Sequence, residues 1–226
     1  MKSLAPLLFC TTLLFGCTTQ TPLDTPPPMA SVAASSEYQS LRFDAGTTRW
    51  WNSATVYEIW PRSFKDSDGD GNRHYNGMTS KLDYLKDFGV DAVWLTPMFE
   101  APSYHGYDFQ DFYSVERDYG TMAEFERFVA ESHQRGIKVI LDLVLNHTAK
   151  EHEWAEKAKR GDKKYQAYYW MFDTDETPKQ YEQSLVEVFP AHAPGNFTWY
   201  PKFKKWVWTT FNEHQWDLNW SNPQVF

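Results

Sequence analysis

The residues best suited to chemistry fall into three groups. The first closes an apolar run: Val139-Ile140-Leu141 leads into Asp142-Leu143-Val144-Leu145-Asn146-His147. Burying a lone carboxylate in such a run costs several kcal/mol unless it is paired and hydrogen-bonded. Asp142 is therefore either a structural acid at a strand end or part of a site. The second group, Tyr104-His105-Gly106-Tyr107-Asp108, follows another apolar run, and Arg62 follows a third. The last group is Asp66-Ser67-Asp68-Gly69-Asp70-Gly71-Asn72, with oxygen ligands at alternate positions and glycines that allow a tight turn. A hard cation such as Ca2+ needs an oxygen-rich loop of this kind. No glutamate closes it at the spacing of an EF-hand, so a polar surface turn is the alternative reading.

Strands and helices must hold these groups in place. Residues 56–60 read as a strand ended by Pro61. Residues 78–88 set Met78, Leu82, Leu85 and Phe88 at helical spacing, with Gly89 as the stop. Residues 90–95 read as a second buried strand, ended by Pro97, and residues 122–133 as a helix with Met122, Phe125, Phe128 and Val129 on one face. Residues 137–145 form the third strand, apolar enough to be buried on both faces of a parallel sheet. This alternation implies an α/β fold with parallel pairing and right-handed crossovers. In a parallel barrel the strand ends share one face, where active sites sit. Arg62, Tyr104 to Asp108 and Asp142 to His147 all fall at such ends. Residues 150–164 read as a charged, exposed helix, followed by an irregular aromatic and proline-rich stretch up to Phe226. The whole segment after His147 reads as a small domain inserted behind the third strand.

The first residues read as an export signal: Lys2, then the apolar stretch 7–15, then Gly16-Cys17. Leu14-Phe15-Gly16-Cys17 resembles a bacterial lipobox, with Cys17 as the lipidated residue. Ordinary signal cleavage and a cytosolic chain with an apolar start are the alternatives. The two cysteines, Cys10 and Cys17, both lie in this leader, so the folded part is expected to hold no disulfide. Residues 18–46, with Pro26-Pro27-Pro28, read as a disordered tether. Such a chain would be exported and held at the bacterial outer membrane, the periplasm or the cell surface, touching the membrane only through a lipid anchor. A net charge of -8 without a basic patch argues against nucleic acid as a partner. Eleven Trp and thirteen Tyr suit the apolar faces of sugars, and equally a large core.

These motifs together resemble the alpha-amylase family of glycoside hydrolases, glycoside hydrolase family 13. Asp142-Leu143-Val144-Leu145-Asn146-His147 resembles its D-x-x-x-N-H region at the third strand. Residues 89–97 resemble its second-strand region, His105-Gly106-Tyr107-Asp108 the sugar-binding loop that follows, and Gln215-Trp216-Asp217-Leu218-Asn219 the motif near the end of its domain B. The resemblance implies a partial (β/α)8 TIM barrel, with the first three βα units in residues 47–147 and a domain B insertion in residues 148–226. It implies that Tyr107 stacks on the sugar before the scissile bond and that His147 bonds a hydroxyl of that sugar. His105 and Asp108 belong to the same substrate-binding loop. Asp142 is expected to support an arginine beside the nucleophile rather than to act on substrate. Asn146 is implied as a calcium ligand, with Asp217 as a further ligand from domain B. The loop of Asp66, Asp68, Asp70 and Asn72 resembles the metal loop of the oligo-1,6-glucosidase branch, except that His74 stands where a carboxylate usually follows.

The same family uses a nucleophile in a G-F-R-x-D pattern and a glutamic acid after the next strand, about 5 Å apart in a retaining mechanism. Neither motif occurs in this sequence, so no catalytic carboxylate is assigned, and both are expected beyond Phe226. The leading expectation is retaining hydrolysis of alpha-1,4 bonds in starch, maltodextrin, glycogen or another alpha-glucan, with a malto-oligosaccharide as partner. The alternative is an oligo-1,6-glucosidase, alpha-glucosidase or trehalose-forming relative. A non-catalytic sugar-binding lipoprotein is the reading from another class. An eight-stranded barrel needs about 250 residues, so this chain by itself is expected to fold poorly, to leave an open sheet edge and to be inactive.

Overall fold

A computed structural model describes residues 49–226 apart from 68, 70, 72 and 73. The signal, the tether and Cys17 therefore lie outside the described residues, as do Asp68, Asp70 and Asn72. The first two apolar runs form β1 (Val56–Ile59) and β2 (Ala92–Leu95), joined through α1 (Pro61–Phe64), α2 (Tyr75–Thr79) and α3 (Leu82–Asp87). The helix expected over residues 78–88 is thus two short helices broken at Ser80-Lys81. Behind β2 the chain makes a hairpin, β3 (Phe99–Glu100) with β4 (Asp111–Val115), then α4 (Met122–Gln134) and β5 (Lys138–Leu141). The hairpin falls where the sequence suggested only a loop.

β1, β2 and β5 form one parallel sheet in the order β1-β2-β5, with Val56 opposite Ala92 and Ala92 opposite Lys138. α4 starts on a capping box: Thr121 Oγ1 accepts from Glu124 N while Glu124 accepts from Thr121 N at 2.7 Å. These two bonds satisfy backbone donors that a helix start otherwise leaves open. α4 then buries Phe128 at the centre of its inner face, with Phe125 and Val129 packed beside it, while Met122 stays exposed. Ile59, Leu82, Leu85, Val93, Leu95 and Ile137 complete this core between the sheet and its helices.

Here the expectation of a strand buried on both faces is corrected. β5 stops at Leu141, and residues 142–145 carry no regular structure. Ile140 and Leu141 are each 37 % exposed and Leu143 is 58 % exposed. The physical reason is that β5 pairs with β2 alone among the described residues, and helices cover only one face of the sheet. An apolar run reports how a strand could be buried, and tertiary partners decide whether it is.

The segment after His147 is also more regular than expected. β6 (His147–Ala149) is followed by α5 (Glu153–Lys159) and α6 (Lys163–Gln166), two helices where one exposed helix was expected. α5 is not wholly exposed, because Ala155 and Ala158 are fully buried on its inner side. Then come β7 (Met171–Phe172), α7 (Glu176–Glu182), β8 (Phe197–Tyr200), β9 (Lys205–Trp208) and β10 (Gln215–Asp217). The antiparallel sheet β7-β9-β8 replaces the irregular stretch, with β9 in the middle. Aromatic residues mask the two-residue period of these short strands. A second core of Tyr168, Tyr169, Val207, Trp216 and Leu218 forms around them. β10 returns to pair antiparallel with β6, setting Asp217 opposite His147. Among the described residues no helix is long and apolar enough to cross a membrane.

Candidate functional site

The site is built where the loop behind β2 meets the end of the β5 segment and the β6-β10 pair. Gly106 turns that loop with φ +78, and a Cβ there would come within 3.3 Å of Pro97. Only glycine combines that backbone conformation with so close an approach. The turn is reinforced from within: Gly106 N donates to the Ser103 carbonyl at 3.2 Å, and Tyr107 N donates to His105 Nδ1 at 3.0 Å. Asp108 is buried and accepts from the Ser103 hydroxyl, with His214 Nε2 3.7 Å from its other oxygen.

Tyr107 is held through its backbone, and its phenol faces a charge. Its carbonyl lies 2.7 Å from His147 Nε2. Burial, then the Asp142 carboxylate, push the Tyr107 pKa up to about 12. The phenol is therefore protonated at neutral pH, and the residue remains 38 % exposed. Asp142 is half-buried, beside a tyrosine where the family resemblance implies an arginine.

His147 is buried, and burial holds its imidazole below the usual pKa, so the ring is neutral. The short contact to the Tyr107 carbonyl places the ring proton on Nε2, while Nδ1 accepts from Asn146 Nδ2 at 3.2 Å. The Gln215 carboxamide lies 3.0 Å from the same Nε2, and its N–H reaches the Tyr107 carbonyl at 3.4 Å. Phe211 packs on the imidazole at 5.1 Å between ring centres. In this arrangement His147 ties the Tyr107 loop to β10, and its ring forms part of the wall.

The resulting cleft has a volume of about 580 Å³, with walls that include His105, Tyr107, Leu143, His147, Phe189 and Phe211. A larger cavity of about 1070 Å³ lies between the β3-β4 hairpin and the start of α5, bordered by Phe112, His152, Trp154 and Trp220. The smaller cleft is the better candidate because the convergent polar groups meet there. Tyr107, His105 and His147 line it, and Asp108 and Asp142 are bonded or packed immediately behind them. Phe189 and Phe211 are cleft residues that nothing local in the sequence marks, while Gln215 was marked only as part of the motif near the end of domain B, without a role of its own.

Asn146 and Asp217 are also brought together, and their fit to a cation can be judged. Asp217 is buried, and its two oxygens accept from Thr210 N at 3.1 Å and Thr210 Oγ1 at 2.5 Å. The Asn146 amide nitrogen lies 3.2 Å from His147 Nδ1, and Asn146 also acts to lower the Asp217 pKa. Burial nevertheless drives the Asp217 pKa up to about 6. Asn146 and Asp217 by themselves supply fewer oxygens than the roughly six to eight ligands that Ca2+ takes. Among the described residues no group of three or more His, Cys, Asp or Glu is arranged to hold a metal ion. Asp66 lies away from the cleft walls, and its carboxylate accepts from Gly69 N at 2.8 Å and Gly71 N at 3.1 Å.

Comparison with known proteins agrees with this arrangement. Residues 58–226 match the alpha-amylase catalytic domain. The chain is 40% identical over 190 residues to Maltase A1 of Drosophila melanogaster, covering 80% of this chain and 32% of that protein. It is 41% identical over 192 residues to trehalose-6-phosphate hydrolase of Bacillus subtilis, covering 79% of this chain and 31% of that one. It is 41% identical over 180 residues to oligo-1,6-glucosidase of Parageobacillus thermoglucosidasius, covering 78% of this chain and 31% of the relative. Among solved structures, trehalose-6-phosphate hydrolase of Bacillus licheniformis superposes with a TM-score of 0.70 at 37% identity, over 79% of this chain and 32% of that one. Isomaltulose synthase SmuA from Protaminobacter rubrum does so with a TM-score of 0.71 at 36% identity, over the same shares. The chain thus spans about a third of the length of the relatives it matches. By motif, fold and overall likeness, this chain belongs to the alpha-amylase family of glycoside hydrolases.

Proposed function

We propose that this chain is part of an alpha-glucosidase that acts on short alpha-glucosides, in the manner of the maltases and oligo-1,6-glucosidases it is similar to. This replaces starch-type alpha-1,4 cleavage as the leading reading, because the matched relatives bear the names of glucosidases acting on small sugars. The observation that carries the site is the Tyr107–His147 wall, with its aromatic ring open to a cleft also lined by Phe189 and Phe211. Tyr107 offers a face for a sugar ring, and His105 with Asn212 offers polar edges for hydroxyls. On this reading the β1-β2-β5 sheet is the first part of a (β/α)8 barrel, and residues 148–226 are a domain inserted after its third strand.

The reaction would be retaining hydrolysis, with the two carboxylates supplied outside these residues, since the sequence holds no G-F-R-x-D motif. Calcium belongs to this proposal at the loop of residues 66–72, on the strength of its alternating oxygen donors, and at Asn146 with Asp217, on the strength of the family resemblance. Export and lipid attachment at Cys17 complete the reading.

The test is hydrolysis by a full-length protein that contains this segment, with maltose, isomaltose and soluble starch compared at equal glucosyl concentration. Glucose release from the disaccharides well above attack on starch is expected. Rapid depolymerisation of starch to mixed oligosaccharides would restore the alpha-amylase reading. Sugar binding without any hydrolysis would favour the binding-lipoprotein alternative.

A further inference from the structure

The sugar-facing loop has a second anchor at its outer end, away from His147 and Asp142. Arg62 stands in α1, directly behind β1, with its side chain only 15 % exposed. Its guanidinium carbon lies 5.3 Å from the Tyr104 ring centre and 5.2 Å from that of Tyr119. Nη1 donates to Asp118 at 2.9 Å, which sets the orientation of the fork. Tyr119 is buried and packs edge-on against Tyr75 in the main core. Tyr104 is the opposite case: it is 63 % exposed, and Trp60 meets its ring edge-on at 5.0 Å.

Arg62 therefore links a core-anchored ring to a surface ring on the loop that carries His105, Tyr107 and Asp108. The hydrogen bonds among Ser103, His105, Gly106 and Tyr107 shape the turn, and being internal they do not fix where the turn sits. Position must come from outside contacts. At the inner end these include His147, Gln215 and Asp142 on Tyr107 and His214 on Asp108; at the outer end Glu116 accepts from Ala101 N, and Arg62 and Trp60 hold the Tyr104 ring. A planar guanidinium can lie between two rings and still bond a carboxylate, whereas an ammonium cannot reproduce that geometry.

We propose that Arg62 is a positioning residue for substrate binding, holding the loop of residues 101–108 through the Tyr104 ring so that Tyr107 faces the cleft. The role rests on the reading above that Tyr107 receives a sugar ring. Arg62 touches no substrate on this account. It acts through Tyr104.

The experiment measures maltose and isomaltose binding to the 226-residue chain by tryptophan fluorescence, for the wild type, Arg62→Met, Arg62→Lys, Tyr104→Ala and the Arg62→Met/Tyr104→Ala pair. Thermal unfolding is followed in parallel, and Arg62→Lys carries the test if Arg62→Met does not fold. Affinity is expected to fall about tenfold in Arg62→Met and less in Arg62→Lys, as loss of a desolvated cation–π contact implies. The double variant should bind no worse than Tyr104→Ala alone, because the two residues act as one unit. Additive losses, or wild-type affinity in the Arg62 variants despite lowered thermal stability, would overturn the proposal and leave a purely structural arginine. If the 226-residue wild type binds neither sugar, the proposed function is judged by the hydrolysis test on the full-length protein. The positioning role is then decided by chymotrypsin cleavage at Tyr104, which must be faster in the Arg62 variants, and an unchanged rate rejects it.

Discussion

The phenol of Tyr107 lies within the field of the Asp142 carboxylate, setting the loop behind the second strand against the end of the third. Asp142 is only half-buried, so the acid inside the apolar run keeps part of its hydration. Its charge adds to burial in raising the Tyr107 pKa.

Asp142→Asn should lower the Tyr107 pKa from about 12 toward the ordinary tyrosine value, though only part of the way, since burial is the first cause of the shift. Ultraviolet difference titration of the wild type and variant reads this. A folded-state pKa above the unfolded value of 10.0 means that the Tyr107 contribution to stability is complete below pH 10. It is lost as the pH rises from 10 to about 12. An unchanged tyrosine titration in Asp142→Asn would show that the Asp142 charge does not act on Tyr107 in solution.

Asp217 has a folded-state pKa of about 6 against an ordinary 3.8. The folded state therefore holds this proton more tightly than the unfolded state does. Stability should fall as the pH rises from about 4 to about 6, by roughly 3 kcal/mol for a shift of this size. Urea unfolding across that window should show the loss in the wild type, and Asp217→Asn should flatten the difference. Parallel pH profiles for the two proteins would mean that Asp217 is not desolvated.

The open edge at β5 has a measurable consequence. Apolar side chains on an unpaired parallel edge promote self-association. Sedimentation of the 226-residue chain should show concentration-dependent oligomers, and Ile140→Lys should reduce them with little change in unfolding midpoint. A monodisperse wild-type monomer at the same concentrations contradicts this.

Gly106→Ala should destabilise by about 1–2 kcal/mol, the cost of forcing a side chain into left-handed backbone. Its Cβ would also press on Pro97, so sugar affinity should drop more than for an alanine elsewhere on the loop. Denaturant titration and fluorescence binding measure the two effects separately. Equal affinity for wild type and variant would argue that the turn does not set the Tyr107 position.

Much of the fold was legible because its signals are local. The helical period of residues 122–133, the Thr121–Glu124 capping box and the glycine and proline stops give α4 and the approximate strand positions. Of the motif residues, Tyr107 and His147 line the cleft, and Asp108 is buried beside the Ser103 hydroxyl. The aromatic region after His147 was less readable, because strands of two to four residues leave too few alternations to reveal a period.

What the sequence determined by itself was the α/β plan, the family and the loop that carries Tyr107, since turn chemistry and period are fixed by near neighbours along the chain. Tertiary structure alone decided three further matters. β5 lies exposed because no second strand covers it among the described residues. Asp142 comes beside Tyr107, and Asn146 beside Asp217. Gln215 and Phe211 reach His147 only when β10 closes on β6. Each of these depends on which distant segments pair, and the same polar residue is a ligand, a prop or a buried burden according to the partner that pairing delivers.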